Sequence, residues 1–162
     1  MPSPSKNKGN QEERAIAQIL TDLYQQTFVR VPTSGAWTGG KNQHRAATLD
    51  DSQLAARKSD IQPPTGWKIN IEIKHYADLP FHNLIKQDCK QLDTWIDQLE
   101  QVSSQDDVDI IFFKISRKGR FVAVKHFPGI DTDHSLHYKN YYIYELNRFF
   151  ENNKQGLKNS CT

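Results

Sequence analysis

The chain has 162 residues, 36% of them hydrophobic, and a formal net charge of only +2, which suits a single domain with one core and leaves the class of partner open. No apolar run approaches the roughly 18–20 residues of a membrane span, and residues 1–10 lack the apolar core of a signal peptide, so we expect neither a membrane protein nor a secreted one. Two cysteines, Cys89 and Cys161, are too few for a disulfide framework or a zinc site, which favours a reducing, intracellular location such as the cytoplasm.

The two ends of the chain differ from its middle in composition. Residues 1–10 carry Pro, Ser, Lys, Asn and Gly without periodicity, and residues 153–162 are similarly polar, so both are expected to be disordered tails. A single domain is therefore expected over residues 11–152. Its first element is a helix from Gln11 to Gln26, where apolar residues recur at helical spacing.

A strand, a polar loop and a second strand are predicted to follow this helix. Residues 27–32 read as a strand that ends at a proline. Residues 36–59 are polar and fit no simple template, so we expect an insertion loop with a short helix near residues 52–58. Residues 58–62 then form a short strand, and a Pro-Pro-Thr-Gly turn joins it to the strand of residues 67–75.

The stretch of residues 67–75, WKINIEIKH, alternates strictly between two kinds of side chain. Its apolar face carries Trp67, Ile69, Ile71 and Ile73, and its polar face carries Lys68, Asn70, Glu72 and Lys74. The strand can therefore bury one face while it presents a carboxylate and an ammonium group, two residues apart, on the other. The preceding turn can bring Asp60 of the neighbouring strand level with Glu72.

The second half of the chain is predicted to contain a helix, a hairpin and a closing strand and helix. Residues 83–101 place their apolar side chains on one helical stripe. Residues 109–116 and 120–127 are predicted strands on either side of an Arg-Lys-Gly turn. Residues 141–152 read as a strand that passes into a short amphipathic helix. The order of three helices and six strands implies a mixed α/β sandwich.

Asp60, Glu72 and Lys74 have the chemistry that metal-dependent hydrolysis of a phosphodiester requires. Because Mg2+ prefers oxygen ligands and needs only one or two protein carboxylates, Asp60 and Glu72 are the predicted metal ligands, with the Ile73 carbonyl as a third ligand and Mn2+ as a substitute ion. Lys74 would orient the water and screen the phosphate, and Glu13 could reach the metal through water. Alternatively, the charged side chains of this strand form a solvated ladder on the sheet surface.

The pattern D-x11-E-x-K resembles the motif of PD-(D/E)xK nucleases, and most of the chain is similar to the archaeal-type Holliday-junction resolvases. Four segments follow the order of that family: Gly9–Arg14, Phe28–Arg30 with Ser34-Gly35, Asp60-Ile61 and Ile71–Lys74. The resemblance implies an α/β, restriction-endonuclease-like fold, with a mixed central sheet flanked by helices. It implies catalytic roles for Glu13, Asp60, Glu72 and Lys74, and positions near the DNA for Arg30 and Ser34.

Two features depart from the resolvase pattern. Residues 36–59 form an insertion between the Ser34-Gly35 loop and Asp60, and they could contact bases in a DNA groove. Ser59 stands where the motif expects proline. A group of basic residues before the aspartate is predicted to contact DNA phosphates: Arg30, Lys41, His44, Arg45, Arg57 and Lys58. Gln91 resembles an auxiliary glutamine on the helix after the active-site strand of recombination nucleases, or is a simple surface residue.

Three functions remain open on the sequence. The first is a Mg2+-dependent DNA endonuclease selective for branched DNA, the second a site-specific endonuclease of restriction or homing type, and the third a nuclease-like fold that only binds nucleic acid or protein. Symmetric cutting of a junction needs two active sites, so a homodimer is expected. Its interface is expected to use exposed aromatic side chains, which alternatively close the monomer core: Tyr138, Tyr141, Tyr142, Tyr144, Phe149 and Phe150.

Overall fold

The computed structural model describes residues 4–32 and 59–162 of the chain. Its helices are α1 (Pro4–Tyr24), α2 (Phe81–Ile85), α3 (Lys90–Glu100) and α4 (Leu146–Cys161). Its strands are β1 (Val29–Arg30), β2 (Ile61–Gln62), β3 (Ile69–Tyr76), β4 (Val108–Ile115), β5 (Gly119–Lys125), β6 (Leu136–Tyr138) and β7 (Tyr141–Glu145). The predicted helix near residues 52–58 and nearly all of the predicted 36–59 loop lie outside the described residues.

A mixed sheet of five strands forms the centre of the fold. Its order is β3-β4-β5-β7-β6, in which β3 and β4 are parallel and every other neighbouring pair is antiparallel. β1 and β2 form a separate antiparallel pair. Because β3 is an edge strand of the large sheet, its outer edge is accessible to the segment that leads into β2.

Helices cover both faces of this sheet. Helices α1 and α4 pack on one face, where Ile71 and Ile110 join the same buried cluster as Leu20 and Phe149. Helix α3 packs on the other face, where Trp95 joins the cluster of Ile111 and its neighbours. This arrangement confirms the predicted fold class, a mixed α/β sheet flanked by helices.

Local backbone geometry confirms the predicted hairpin turn and corrects one predicted helix. The turn between β4 and β5 has positive φ angles at Arg117 (64°) and Gly119 (116°), which is the geometry of a tight hairpin. The single helix predicted over residues 83–101 is wrong, because Gln87 has a φ of 59° and the helix is interrupted between α2 and α3.

The expectation of disordered tails is also corrected. Helix α1 begins at Pro4, inside the segment predicted to be an N-terminal tail. Helix α4 runs to Cys161, and Leu157 and Cys161 are buried in the core. The Lys68 amide donates a hydrogen bond of 2.7 Å to the Cys161 carbonyl, which ties the end of α4 to the start of β3.

The aromatic residues near the C-terminus do not form an exposed surface. Tyr138, Tyr141, Tyr144, Phe149 and Phe150 are buried, and Tyr142 packs against the core. Their predicted use as a dimer interface is therefore wrong, and they close the core of the chain instead. Among the described residues, no helix combines the length and apolar character that crossing a membrane would require.

Candidate active site

The segment Ser59-Asp60 is attached to the outer edge of β3 by side-chain and backbone hydrogen bonds. The Ser59 hydroxyl donates to the Ile71 carbonyl (2.9 Å) and accepts from the Ile71 amide (2.8 Å). The Asp60 amide donates to the same Ile71 carbonyl (2.9 Å), and its carboxylate Oδ2 accepts from the Ile73 amide (2.7 Å). Asp60 is therefore held beside Glu72. Ser59 also contributes a donor and an acceptor that a proline at this position would lack.

Glu72 and Lys74 lie on one side of β3 and form an ion pair. Lys74 Nζ lies 2.6 Å from Glu72 Oε1 and donates a second hydrogen bond, of 2.8 Å, to Gln98 Oε1 on α3. Only 20% of the Glu72 side chain and 16% of the Lys74 side chain are exposed. The alternative of a solvated charge ladder is therefore wrong for Glu72 and Lys74, which are partly buried, whereas Lys68 on the same face of the strand is exposed.

Further along the polar face of β3, Asn70 is fully buried. Its amide donates to the Leu99 carbonyl (2.9 Å) and to Asp109 Oδ1 (3.1 Å) on β4. These bonds fix β3 against α3 and β4. The position of Glu72 is therefore set by rigid neighbours on both sides.

Helix α1 brings a third carboxylate to this region. Glu13 accepts a hydrogen bond from Arg30 Nε of β1, and the same guanidinium donates to Asn10 Oδ1 (2.6 Å). Arg30 was predicted to contact DNA, and here it holds Glu13 in place. The adjacent Glu12 points elsewhere and pairs with Arg120 of β5.

The carboxylates of this site interact unfavourably with one another. Burial raises the pKa of Glu72 to about 7, with the nearby charges of Asp60 and Glu13 acting in the same direction and Lys74 against it. Burial also raises the pKa of Glu13, and the charge of Asp60 adds to that increase while Arg30 opposes it. Among the described residues, this cluster therefore places three carboxylates near one lysine and one arginine, a charge balance that favours binding of a cation.

Carboxylate donors of this kind would suit a hard cation such as Mg2+ better than zinc, which favours histidine and cysteine. In residues 4–32 and 59–162, no group of three or more His, Cys, Asp or Glu side chains is arranged to hold a metal ion. Mg2+ keeps several of its waters and is commonly held by one or two carboxylates, so Asp60 and Glu72 fit that ion without further side chains.

The remaining predicted site residues lie apart from this cluster or cannot be placed. Gln91 donates a weak hydrogen bond of 3.4 Å to the Asp78 carbonyl, and it is Gln98, two turns further along α3, that contacts Lys74. Sequence reasoning missed Gln98 because nothing in its spacing relates it to β3, and missed Asn10 because that residue was assigned to a tail. Six residues predicted to contact DNA or to lie near the active site fall outside the described residues: Ser34, Lys41, His44, Arg45, Arg57 and Lys58.

Comparison with known proteins identifies one family. Residues 4–158 match the family described as "Phage putative PDDEXK endonuclease", so that the match spans almost the whole chain. No curated protein and no solved structure matches the chain. The likeness to Holliday-junction resolvases therefore stays an interpretation of the sequence motifs.

Proposed function

Because the chain belongs to this family of phage PDDEXK endonucleases, we propose that it is a Mg2+-dependent DNA endonuclease whose active site is Asp60, Glu72 and Lys74. One observation carries the proposal. Asp60 is held at the edge of β3 beside Glu72, where its charge helps to raise the pKa of the Glu72 carboxyl, and Lys74 contacts Glu72 directly. This arrangement supports both a cation site and a positively charged group beside it.

Each residue has a distinct role in this mechanism. Asp60 and Glu72 would hold Mg2+, or Mn2+ in its place, with the Ile73 carbonyl as a third ligand. Bound Mg2+ supplies charge neutralisation at the phosphate and lowers the pKa of a coordinated water. Lys74 screens the phosphate and orients the attacking water, and Gln98 keeps the lysine ammonium at its position. Glu13, positioned by Arg30, acts as an auxiliary acid.

For the substrate, we propose branched DNA, cut in the manner of a Holliday-junction resolvase. The motif order around Glu13, Arg30, Asp60, Glu72 and Lys74 supports this choice. Site-specific cleavage of linear duplex is the competing outcome, and in that case residues 36–59 would read bases. A purely binding function is disfavoured, since all three active-site residues are present and in contact with one another or with the same strand.

The direct test is incubation of the purified protein with a four-way junction and with linear duplexes of the same sequences. Each reaction is run with Mg2+, with Mn2+ and with EDTA, and a Glu72→Gln variant prepared in parallel reports any contaminating nuclease. Symmetric nicks near the crossover, lost in EDTA, are the expected result. Cuts at fixed positions in the linear duplex would show that the enzyme selects a base sequence and not branched DNA. Absence of metal-dependent cutting on every substrate would overturn the nuclease proposal.

A further inference from the structure

A groove continues from Lys74 along the end of β3. Its walls include Lys6 and Lys8 of α1, Lys74 and His75 of β3, and Ser116 after β4. Its volume of about 620 Å3 is sufficient for a short length of extended backbone. The described residues that line it include three lysines and no carboxylate, so its charge complements an anion.

Hydrogen bonds fix the two sides of this groove to its floor. His75 Nδ1 lies 3.4 Å from the Lys8 carbonyl, and His75 Nε2 lies 3.3 Å from the Ser116 hydroxyl. The Ser116 amide donates to the Tyr76 carbonyl (3.0 Å), which extends the β3–β4 pairing into the groove. The first turns of α1 are therefore anchored beside the active-site strand, with their lysines at its open end.

Of the three lysines that line the groove, Lys74 is paired with the active-site residue Glu72. Glu13 of α1 is paired with Arg30. Lys6 and Lys8 thus add positive charge at the end of β3 that lies beyond the carboxylates. In the part of the chain that the structure describes, a polyanion that continues in this direction from Lys74 meets no carboxylate in the lining of the groove.

We propose that this groove binds the phosphate backbone of the DNA strand that is cut, next to the scissile phosphate, with Lys6 and Lys8 as the phosphate contacts. The inference rests on the proposed nuclease function and names the path of the substrate strand. It also assigns a role to residues 4–10, which the sequence predicts to be a disordered tail. Phosphate contacts of this kind set affinity and register rather than base preference.

The test compares two double variants that remove the same charge. Lys6→Gln with Lys8→Gln neutralises the groove, and Lys154→Gln with Lys158→Gln neutralises two lysines of α4. The Lys154 carbonyl accepts a hydrogen bond of 3.0 Å from the Tyr24 hydroxyl at the far end of α1. Since a helix rises 1.5 Å per residue, that end lies about 24 Å from Lys8.

Binding to a four-way junction and to linear duplex is measured in EDTA over a series of salt concentrations. Loss of two phosphate contacts should reduce the slope of log Kd against log salt by roughly 1.8 and weaken binding at least about tenfold, whereas the α4 variant should behave as wild type. Lys8→Gln alone should give about half the change in slope. If the two double variants bind DNA with the same affinity and the same slope, the proposed role of the groove is wrong.

Cleavage by the wild-type protein, assayed beside the binding measurements, separates this inference from the proposed function. If the wild type cuts DNA and the groove variant keeps normal affinity and slope, the nuclease function stands and the groove is wrong. If the wild type binds DNA with the expected groove dependence and never cuts, the nuclease function is wrong and the groove is a phosphate-binding surface without a scissile phosphate beside it. Thermal melting confirms that all variants are folded.

Discussion

At the scale of single residues, Asp60 has both a structural role and a proposed catalytic role. Asp60 accepts the Ile73 amide and is a proposed metal ligand. Both Asp60→Asn and Asp60→Ala should abolish cleavage. Only Asp60→Ala removes the acceptor, so it should lower the free energy of unfolding by about 1–3 kcal/mol relative to Asp60→Asn. Chemical denaturation and junction cleavage measure the two effects, and equal stability would show that the hydrogen bond contributes nothing.

Glu72 should make the stability of the metal-free protein depend on pH. Its pKa is raised from 4.5 to about 7 in the folded state, so the folded chain holds an extra proton between those values. The free energy of unfolding should therefore decrease as pH rises through this window, by roughly 3 kcal/mol at most. Glu72→Gln should remove most of this slope in EDTA while abolishing cleavage. Melting of the wild type and of Glu72→Gln at pH 5 and pH 8 measures this pH dependence. The same pH dependence in both proteins would contradict a raised pKa of Glu72.

Lys74 should contribute mainly to the chemical step. Lys74→Ala should reduce the single-turnover rate at least about 100-fold, which is roughly 2.7 kcal/mol of transition-state stabilisation, with a much smaller effect on DNA binding. Gln98→Ala, which removes the second contact of the lysine ammonium and leaves the charge in place, should lose less. A normal single-turnover rate in Lys74→Ala would remove the lysine from the mechanism.

At the scale of elements, the sequence predicts those whose side chains repeat with a clear period. The alternation in β3 predicts both its buried isoleucines and the shared face of Glu72 and Lys74, as the structure has them. The break between α2 and α3 was not predicted because the apolar stripe continues across it. The stripe is maintained by tertiary packing of Leu84 and Leu92 on the same cluster, not by one continuous helix.

Helix α4 was partly missed for a different reason. Its second half, NNKQGLKNSC, is polar, and Gly156 lowers helix propensity. The buried side chains nevertheless continue at helical spacing from Phe149 and Asn153 to Leu157 and Cys161. A glycine is suited to its place, because a Cβ there would lie 3.3 Å from the Gly129 carbonyl oxygen. Extending the periodicity search to the end of the chain would have found the helix.

The end of α4 should therefore be essential for stability. Leu157→Ala should reduce the free energy of unfolding by about 2–5 kcal/mol, because Leu157 is fully buried and its truncation leaves a cavity. Lys154→Ala, an exposed substitution on the same helix, is the matched control and should change little. Urea denaturation provides the measurement, and similar values for both variants would restore the idea of a dispensable C-terminal tail.

At the scale of the whole molecule, the proposed action on junctions requires two active sites. We expect a homodimer on four-way junction DNA, formed through a surface other than the buried aromatic residues of β6, β7 and α4. Sedimentation at micromolar concentration, with and without junction DNA, should reveal a species of twice 18.7 kDa of protein. A single protein chain on the junction would contradict symmetric resolution and favour nicking by a monomer.

The attachment of Ser59 and Asp60 to β3 has a consequence for self-association. An uncovered edge strand offers its backbone to the strand of another molecule and is a common start of aggregation. Here Ser59 and Asp60 already occupy the Ile71 amide and carbonyl and the Ile73 amide. The segment that carries a proposed metal ligand thus also covers the edge of the sheet. A second copy of the chain could add a strand to β3 at this place only after displacing Ser59 and Asp60.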